Sequence, residues 1–143
     1  MDRHYPTLLL VEDDSALQAV LEIALSEEGF EVVAANSGAA ALEALASDET
    51  QFQAVITDIQ LGRGPNGWEV GHRARETSSG IPVIYMSGNS AHEWSANGVP
   101  ESVMLQKPFV IAQLVTAVTT LLNLASSAAA LSDAMKADTK TNK

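Results

Sequence analysis

Thr7-Leu8-Leu9-Leu10-Val11-Glu12-Asp13-Asp14 is the stretch that decides the fold. Five residues of nearly unbroken aliphatic character, bounded sharply by carboxylates, read as a strand buried on both faces and ending in acids. After it, Leu17, Val20, Leu21, Ala24 and Leu25 recur at helical spacing. They predict a helix over 15–28, stopped by Gly29.

The same unit then repeats. Residues 31–35 carry Val32-Val33 and predict a second strand, and Ala40, Ala41, Leu42, Leu45 and Ala46 give the next helical face. Ala54-Val55-Ile56-Thr57 predicts strand three and again runs into a carboxylate, Asp58. Gly62-Arg63-Gly64-Pro65-Asn66-Gly67 is a loop by composition, followed by a helix over 68–76. Pro82-Val83-Ile84-Tyr85-Met86 predicts strand four, stopped by Ser87-Gly88-Asn89, with a short polar helix over 91–96 behind it. Val103-Met104-Leu105 predicts strand five, stopped by Lys107-Pro108, and Leu114, Val115, Val118, Leu121 and Leu122 mark helix five. Five strands alternating with five helices predict an α/β fold, a doubly wound five-stranded parallel sheet of order 2-1-3-4-5. Its ligand is expected at the carboxyl ends of the strands, between strands one and three where the winding reverses.

The 143 residues are enough for one domain, and 46% hydrophobic against 18% charged side chains suit a packed core. A formal charge of −10 argues against a nucleic-acid partner. The chain has no cysteine, so disulfides, thiolate metal sites and thiol nucleophiles are excluded. The N-terminus carries no signal-peptide pattern, and no apolar run approaches the roughly 20 residues a membrane helix needs. A cytoplasmic protein with no membrane partner is the expectation. Residues 1–6 read as an N-terminal extension, 7–123 as the folded domain and 124–143 as a tail, partly helical or disordered. Within that tail Leu124, Ala128, Leu131 and Met135 keep helical spacing, compatible with an extended helix or a pairing surface.

Four of the five strands deliver a polar group to one rim: Glu12-Asp13-Asp14, Asp58, Ser87 and Lys107. Neighbouring strands one and three bring Glu12, Asp13 and Asp58 together, where like charges demand a cation. Lys107, the sole lysine in the first 135 residues, and a divalent ion meet that demand. An all-oxygen set selects a hard ion such as Mg²⁺. His4, His72 and His92 lack zinc-ligand spacing. A carboxylate beside Mg²⁺, a lysine and a hydroxyl is equipped to accept a phosphoryl group, with Asp58 as nucleophile. There is no Gly-x-x-x-x-Gly-Lys-[Ser/Thr] loop and no Gly-x-Ser-x-Gly elbow, and Asp58-Ile59-Gln60 lacks the second aspartate of Asp-x-Asp phosphatases.

From about Thr7 to Asn123 the chain resembles the receiver domain of two-component response regulators, a flavodoxin-like fold. The resemblance rests on Leu9-Leu10-Val11-Glu12-Asp13, Thr57-Asp58, Ser87-Gly88 and Lys107-Pro108-Phe109, in that order. It implies Asp58 as phosphoacceptor, Mg²⁺ held by Glu12, Asp13, Asp58 and the Gln60 carbonyl, and phosphoryl oxygens bound by Ser87 and Lys107. It implies a signalling switch rather than an enzyme, with only self-phosphorylation and autodephosphorylation as its chemistry. The implied donor is the phosphohistidine of a sensor histidine kinase or a histidine phosphotransfer protein, and the output is a rearranged face of helix four, strand five and helix five. Asp14 is expected to cap helix one.

Three features depart from the family pattern. Met104 stands where an aromatic is common, and Gly62 stands where a proline is common, in a loop about one residue longer than usual. Gln60 and Asn89 occupy the positions that tune phosphoryl loss in the family. The short stretch after helix five predicts a single-domain regulator acting on a protein target. The alternative is a phosphorylation-independent, receiver-like interaction module.

Overall fold

In the computed structural model, which describes residues 5–141, strands and helices alternate along the chain. They are β1 (Thr7–Val11), α1 (Ser15–Glu27), β2 (Glu31–Ala35), α2 (Gly38–Ala46), β3 (Ala54–Asp58), α3 (Gly67–Thr77) and β4 (Val83–Ser87). A 3-10 turn over Ala91–Glu93 then leads into a one-turn α4 (Trp94–Asn97), β5 (Val103–Gln106) and α5 (Ile111–Thr141). The sheet is parallel with order β2-β1-β3-β4-β5, as the alternation predicts.

Successive residues of a strand face opposite sides of the sheet, and the two cores divide accordingly. Leu9, Val11, Val55, Val83 and Tyr85 pack with Ala41, Leu45, Trp68, Val70 and Ala74 under α2 and α3. Leu8, Leu10, Ala54, Ile56, Ile84 and Met86 pack with Leu21, Leu25, Leu114 and Val118 under α1 and α5. Every residue of β3 and β4 is buried, whereas β2 and β5 form the half-exposed edges. Central strands with no solvent face are apolar up to their carboxyl ends, where Thr57-Asp58 and Ser87 reach the rim, which is why they read as runs rather than alternations. Each fully buried leucine contributes roughly 1.5–3 kcal/mol, so the register that buries them is strongly fixed.

α5 continues past residue 123 without a break, 31 residues in all. Contrary to the expectation that no apolar run approaches a membrane span, Ile111–Met135 is long and apolar enough, by length and composition, to cross a bilayer. The first turns are committed to the domain, however, with Leu114 and Val118 fully buried against the sheet. The expected N-terminal extension falls mostly outside the described residues, as does the polar end at Asn142 and Lys143.

Candidate functional site

Every sequence-predicted site residue comes to one rim. Glu12, Asp13, Asp58, Gln60, Ser87 and Lys107 line a single open cleft of about 1240 Å³. Pairing of β1 with β3, Val11 beside Thr57, puts the two acidic strand ends side by side. Carboxylate oxygens of Glu12, Asp13 and Asp58 lie within 4.8 Å of one another. From β5, the Lys107 Nζ donates to Glu12 Oε1 at 3.0 Å and to Asp58 Oδ2 at 3.1 Å. The Lys107-Pro108 peptide bond is cis.

Burial dominates the electrostatics of Glu12, which is 1% exposed. It pushes the carboxyl up to about 7, the Asp58 charge adds to the effect, and hydrogen bonds from Lys107 and the Asp14 N–H work against it. For Lys107 burial pulls the pKa down, but the Glu12 hydrogen bond and the Asp58 charge outweigh it, so the ammonium stands above its ordinary value. The cluster thus holds more negative charge than one lysine neutralises. All donors are oxygen and include three carboxylates, which fits a hard divalent ion such as Mg²⁺.

Ser87 is 1% exposed, and its Oγ accepts the Ser90 N–H at 2.6 Å and the Asn89 N–H at 3.2 Å. The hydroxyl is therefore engaged with the loop that starts the 3-10 turn. Asp14 caps α1 as expected, its Oδ1 accepting from the Ala16 and Leu17 amides.

Several groups that build the site carry no local sequence signal. Gln18 on α1 donates from Nε2 to the carbonyls of Glu12 and Ala35, tying the ends of β1 and β2 together. Gly67 begins α3 directly on the backbone of β3: its N–H donates to the Ile59 carbonyl at 2.8 Å. A Cβ there would meet the Asp58 carbonyl and lie 2.7 Å from Ile59 Cα. In the loop between, Gly62 and Gly64 adopt φ of +74° and +89°, while Ile59 and Leu61 anchor it in the core. Gly62 can take that conformation where a proline cannot, which accounts for the departure at this position.

Met104 is half-buried and pairs in register with Tyr85 of β4. Tyr85 supplies an interior aromatic on the neighbouring strand: it is fully buried, 4.8 Å from Trp68 between ring centroids, and its hydroxyl accepts the Val99 N–H at 3.1 Å. Burial raises its phenol pKa.

The sequence profile of the response regulator receiver domain matches residues 8–119. The transcriptional regulatory protein PrrA of Mycobacterium tuberculosis is 35% identical over 128 residues, 87% of this chain and 53% of PrrA. The response regulator MprA of Mycobacterium leprae is 30% identical over 117 residues, 80% of this chain and 50% of MprA. The chain spans about half the length of these curated relatives. Among solved structures, a response regulator receiver protein from Sinorhizobium medicae WSM419 superposes with a TM-score of 0.83 at 43% identity, covering 85% of this chain and 98% of that one. The receiver domain of sensor histidine kinase PA1611 from Pseudomonas aeruginosa, solved with magnesium in its active site cleft, shares the fold at 22% identity and a TM-score of 0.71, over 84% and 99% of the two chains. Since the matched span runs from β1 into α5 and takes in every strand end that lines the cleft, the chain belongs to the response regulator receiver domains of two-component signalling.

Proposed function

We propose that Asp58 accepts a phosphoryl group from the phosphohistidine of a sensor kinase or phosphotransfer protein, and that its capture switches the contacts of this chain with a protein target. The observation carrying this reading is the carboxylate triangle of Glu12, Asp13 and Asp58 with the Lys107 ammonium 3.1 Å from Asp58 Oδ2. A carboxylate oxygen of Asp58 attacks phosphorus in line as the P–N bond of the donor breaks, and the bond pair leaves on the imidazole nitrogen, which takes a proton from solvent. Glu12, Asp13, Asp58 and the Gln60 carbonyl would hold Mg²⁺, which when bound neutralises charge on the transferring oxygens.

Lys107 then exchanges a carboxylate partner for a phosphoryl oxygen and stabilises the added charge. Ser87 turns its hydroxyl toward the phosphoryl group, and the Asn89 and Ser90 amides lose the acceptor they share. That frees the 3-10 turn and the one-turn α4 to rearrange, a local charge event with a distant readout. Tyr85, hydrogen-bonded to Val99, joins β4 to the turn before β5 in the place of a ring at Met104.

PrrA is named a transcriptional regulatory protein, and about half of it lies outside the match. The net charge of −10 on this chain disfavours DNA contact by its own surface, so the partners proposed for it are proteins.

Incubation with Mg²⁺ and acetyl phosphate, read by intact mass, tests the reading. A single phosphoryl adduct, lost in Asp58→Asn and without metal, is expected. Absence of both an adduct and a beryllofluoride complex, or an adduct surviving in Asp58→Asn, would overturn it.

A further inference from the structure

Asp13 stands at the corner where β1 gives way to α1, one residue before Asp14, the N-cap of the helix. Of the three carboxylates in the cleft it is the exposed one. The Glu12 carboxylate takes Lys107 Nζ and the Asp14 N–H, and that of Asp58 takes Lys107 Nζ, whereas the Asp13 carboxylate has no hydrogen bond among the described residues. Its direction is therefore set by the backbone on either side of it.

One residue holds that backbone on both sides. The Gln18 N–H donates to the Asp14 carbonyl at 2.9 Å, the ordinary helical bond, and Gln18 Nε2 donates to the Glu12 carbonyl at 3.2 Å and the Ala35 carbonyl at 3.3 Å. Both side-chain partners only accept, so the amide nitrogen must face them, with a hydrogen for each. Helical side chains lean toward the N-terminus, and at the fourth position of α1 that lean carries the amide back over the Asp13 corner. The pairing of β1 with β2 ends at Val11 opposite Ala35, and the Ala35 carbonyl also accepts the Glu12 N–H at 3.1 Å. Gln18 thus fixes the plane of the Glu12–Asp13 peptide, and with it the angle at which the Asp13 side chain leaves the chain, to the frame of β2.

That angle matters most to a small ion. Mg²⁺ demands near-octahedral oxygens at about 2.0–2.1 Å, whereas Ca²⁺ accepts a looser set at about 2.3–2.6 Å. A carboxylate left free to swing spoils the octahedral set but not the looser one. We propose that Gln18 is a positioning residue for the metal centre: by holding the Glu12 carbonyl it aims Asp13, and so gives the cleft a preference for Mg²⁺ over Ca²⁺. The inference rests on the reading of Glu12, Asp13 and Asp58 as ligands of a divalent ion.

Calorimetric titration of the full chain with MgCl₂ and, separately, with CaCl₂ is the test. Gln18→Met keeps the length and helix propensity of the side chain and removes both of its donors. It is expected to raise the Mg²⁺ Kd about fivefold, less than the roughly 10–100-fold that follows loss of a partner bonded to the ligand side chain itself, and the Ca²⁺ Kd by less than about twofold. Gln53→Met is the control. Gln53 Oε1 accepts the Thr7 N–H at 2.6 Å at the opposite end of β1, so this variant is expected to lower the urea midpoint and leave both Kd values at those of the wild type. An unchanged Mg²⁺ Kd in Gln18→Met, equal losses for the two ions, or the same Mg²⁺ loss in Gln53→Met would overturn the proposal. Absence of Mg²⁺ binding by the wild-type chain would refute the ligand assignment and this inference with it, a result distinct from the other three.

Discussion

The Gln60 side chain donates from Nε2 to Asn89 Oδ1 at 3.0 Å, joining the loop after β3 to the loop after β4 across the mouth of the acidic cleft. Both residues are exposed, so the link is weak, but both line the cleft that holds Asp58, where the proposed phosphoryl group would meet water. Gln60→Ala and Asn89→Ala are each expected to shorten the phosphoryl lifetime about threefold, the effect of a bond worth about 0.5–1 kcal/mol. Their combination is expected to be less than additive, since either change breaks the same bond. Decay of the phosphoryl adduct by intact mass checks this, and fully multiplicative effects would refute the shared link.

The pH dependence of the metal-free protein follows from Glu12. Folding raises its carboxyl from 4.5 to about 7, so the folded state holds this proton more tightly than the unfolded state does. Stability from that proton is complete below pH 4.5 and is lost as pH rises through about 7. Urea unfolding at pH 5.5 and pH 8 without metal is expected to give the lower midpoint at pH 8. Magnesium held by Glu12 as proposed displaces the same proton, so affinity is expected to rise toward pH 8, by up to about tenfold per unit below the Glu12 pKa. A pH-independent Mg²⁺ affinity would show that Glu12 is not the group involved.

Lys107→Ala leaves Glu12 and Asp58 without their ammonium. Breaking a buried pair costs about 3–5 kcal/mol in full, but Lys107 is partly exposed and Glu12 can take a proton instead. A loss of about 1–2 kcal/mol is therefore expected at pH 8, smaller at pH 5.5 and reduced by Mg²⁺. The variant is expected to accept a phosphoryl group poorly and to leave partner binding unswitched; normal switching would remove Lys107 from the mechanism.

At Gly67 any side chain collides with backbone rather than with a yielding side chain. Gly67→Ala must displace α3 from β3 and with it the Asp58–Ile59 peptide, at about 2–3 kcal/mol. Gly80→Ala, where φ is +80° but nothing lies within 4 Å, is expected to cost only about 1 kcal/mol. Urea midpoints compare the two, and equal losses would mean that the close approach at Gly67 carries no special cost.

Tyr85→Phe keeps the ring against Trp68 but leaves the buried Val99 amide without its acceptor. A loss of about 1–3 kcal/mol is expected, along with a weaker response of Trp94 fluorescence to beryllofluoride, because the Trp94 Nε1–H donates to Ser102 Oγ, which itself donates to the Val99 carbonyl. An unchanged response would separate Tyr85 from the switch.

What the sequence determined by itself was the order of the strands and the residues at the rim. Aliphatic runs at Leu8–Leu10, Val55–Ile56 and Val83–Ile84 call for cover on both faces, and right-handed crossovers then leave few windings, of which the expected 2-1-3-4-5 is the one observed. That winding alone carries Glu12, Asp58, Ser87 and Lys107 to the same edge. Tertiary structure decided what depends on distance between segments far apart in the chain. Examples are the proton on Glu12, the engagement of Ser87 with its own loop, the Gln60–Asn89 link, and the need for glycine where α3 meets β3. It also decided the fate of the apolar stripe in α5, because a helical period states which residues share a face but not where the sheet beneath them ends. Local pattern is set by backbone geometry and burial, and so is written in neighbouring residues; electrostatics and close contact arise only once remote residues are brought together.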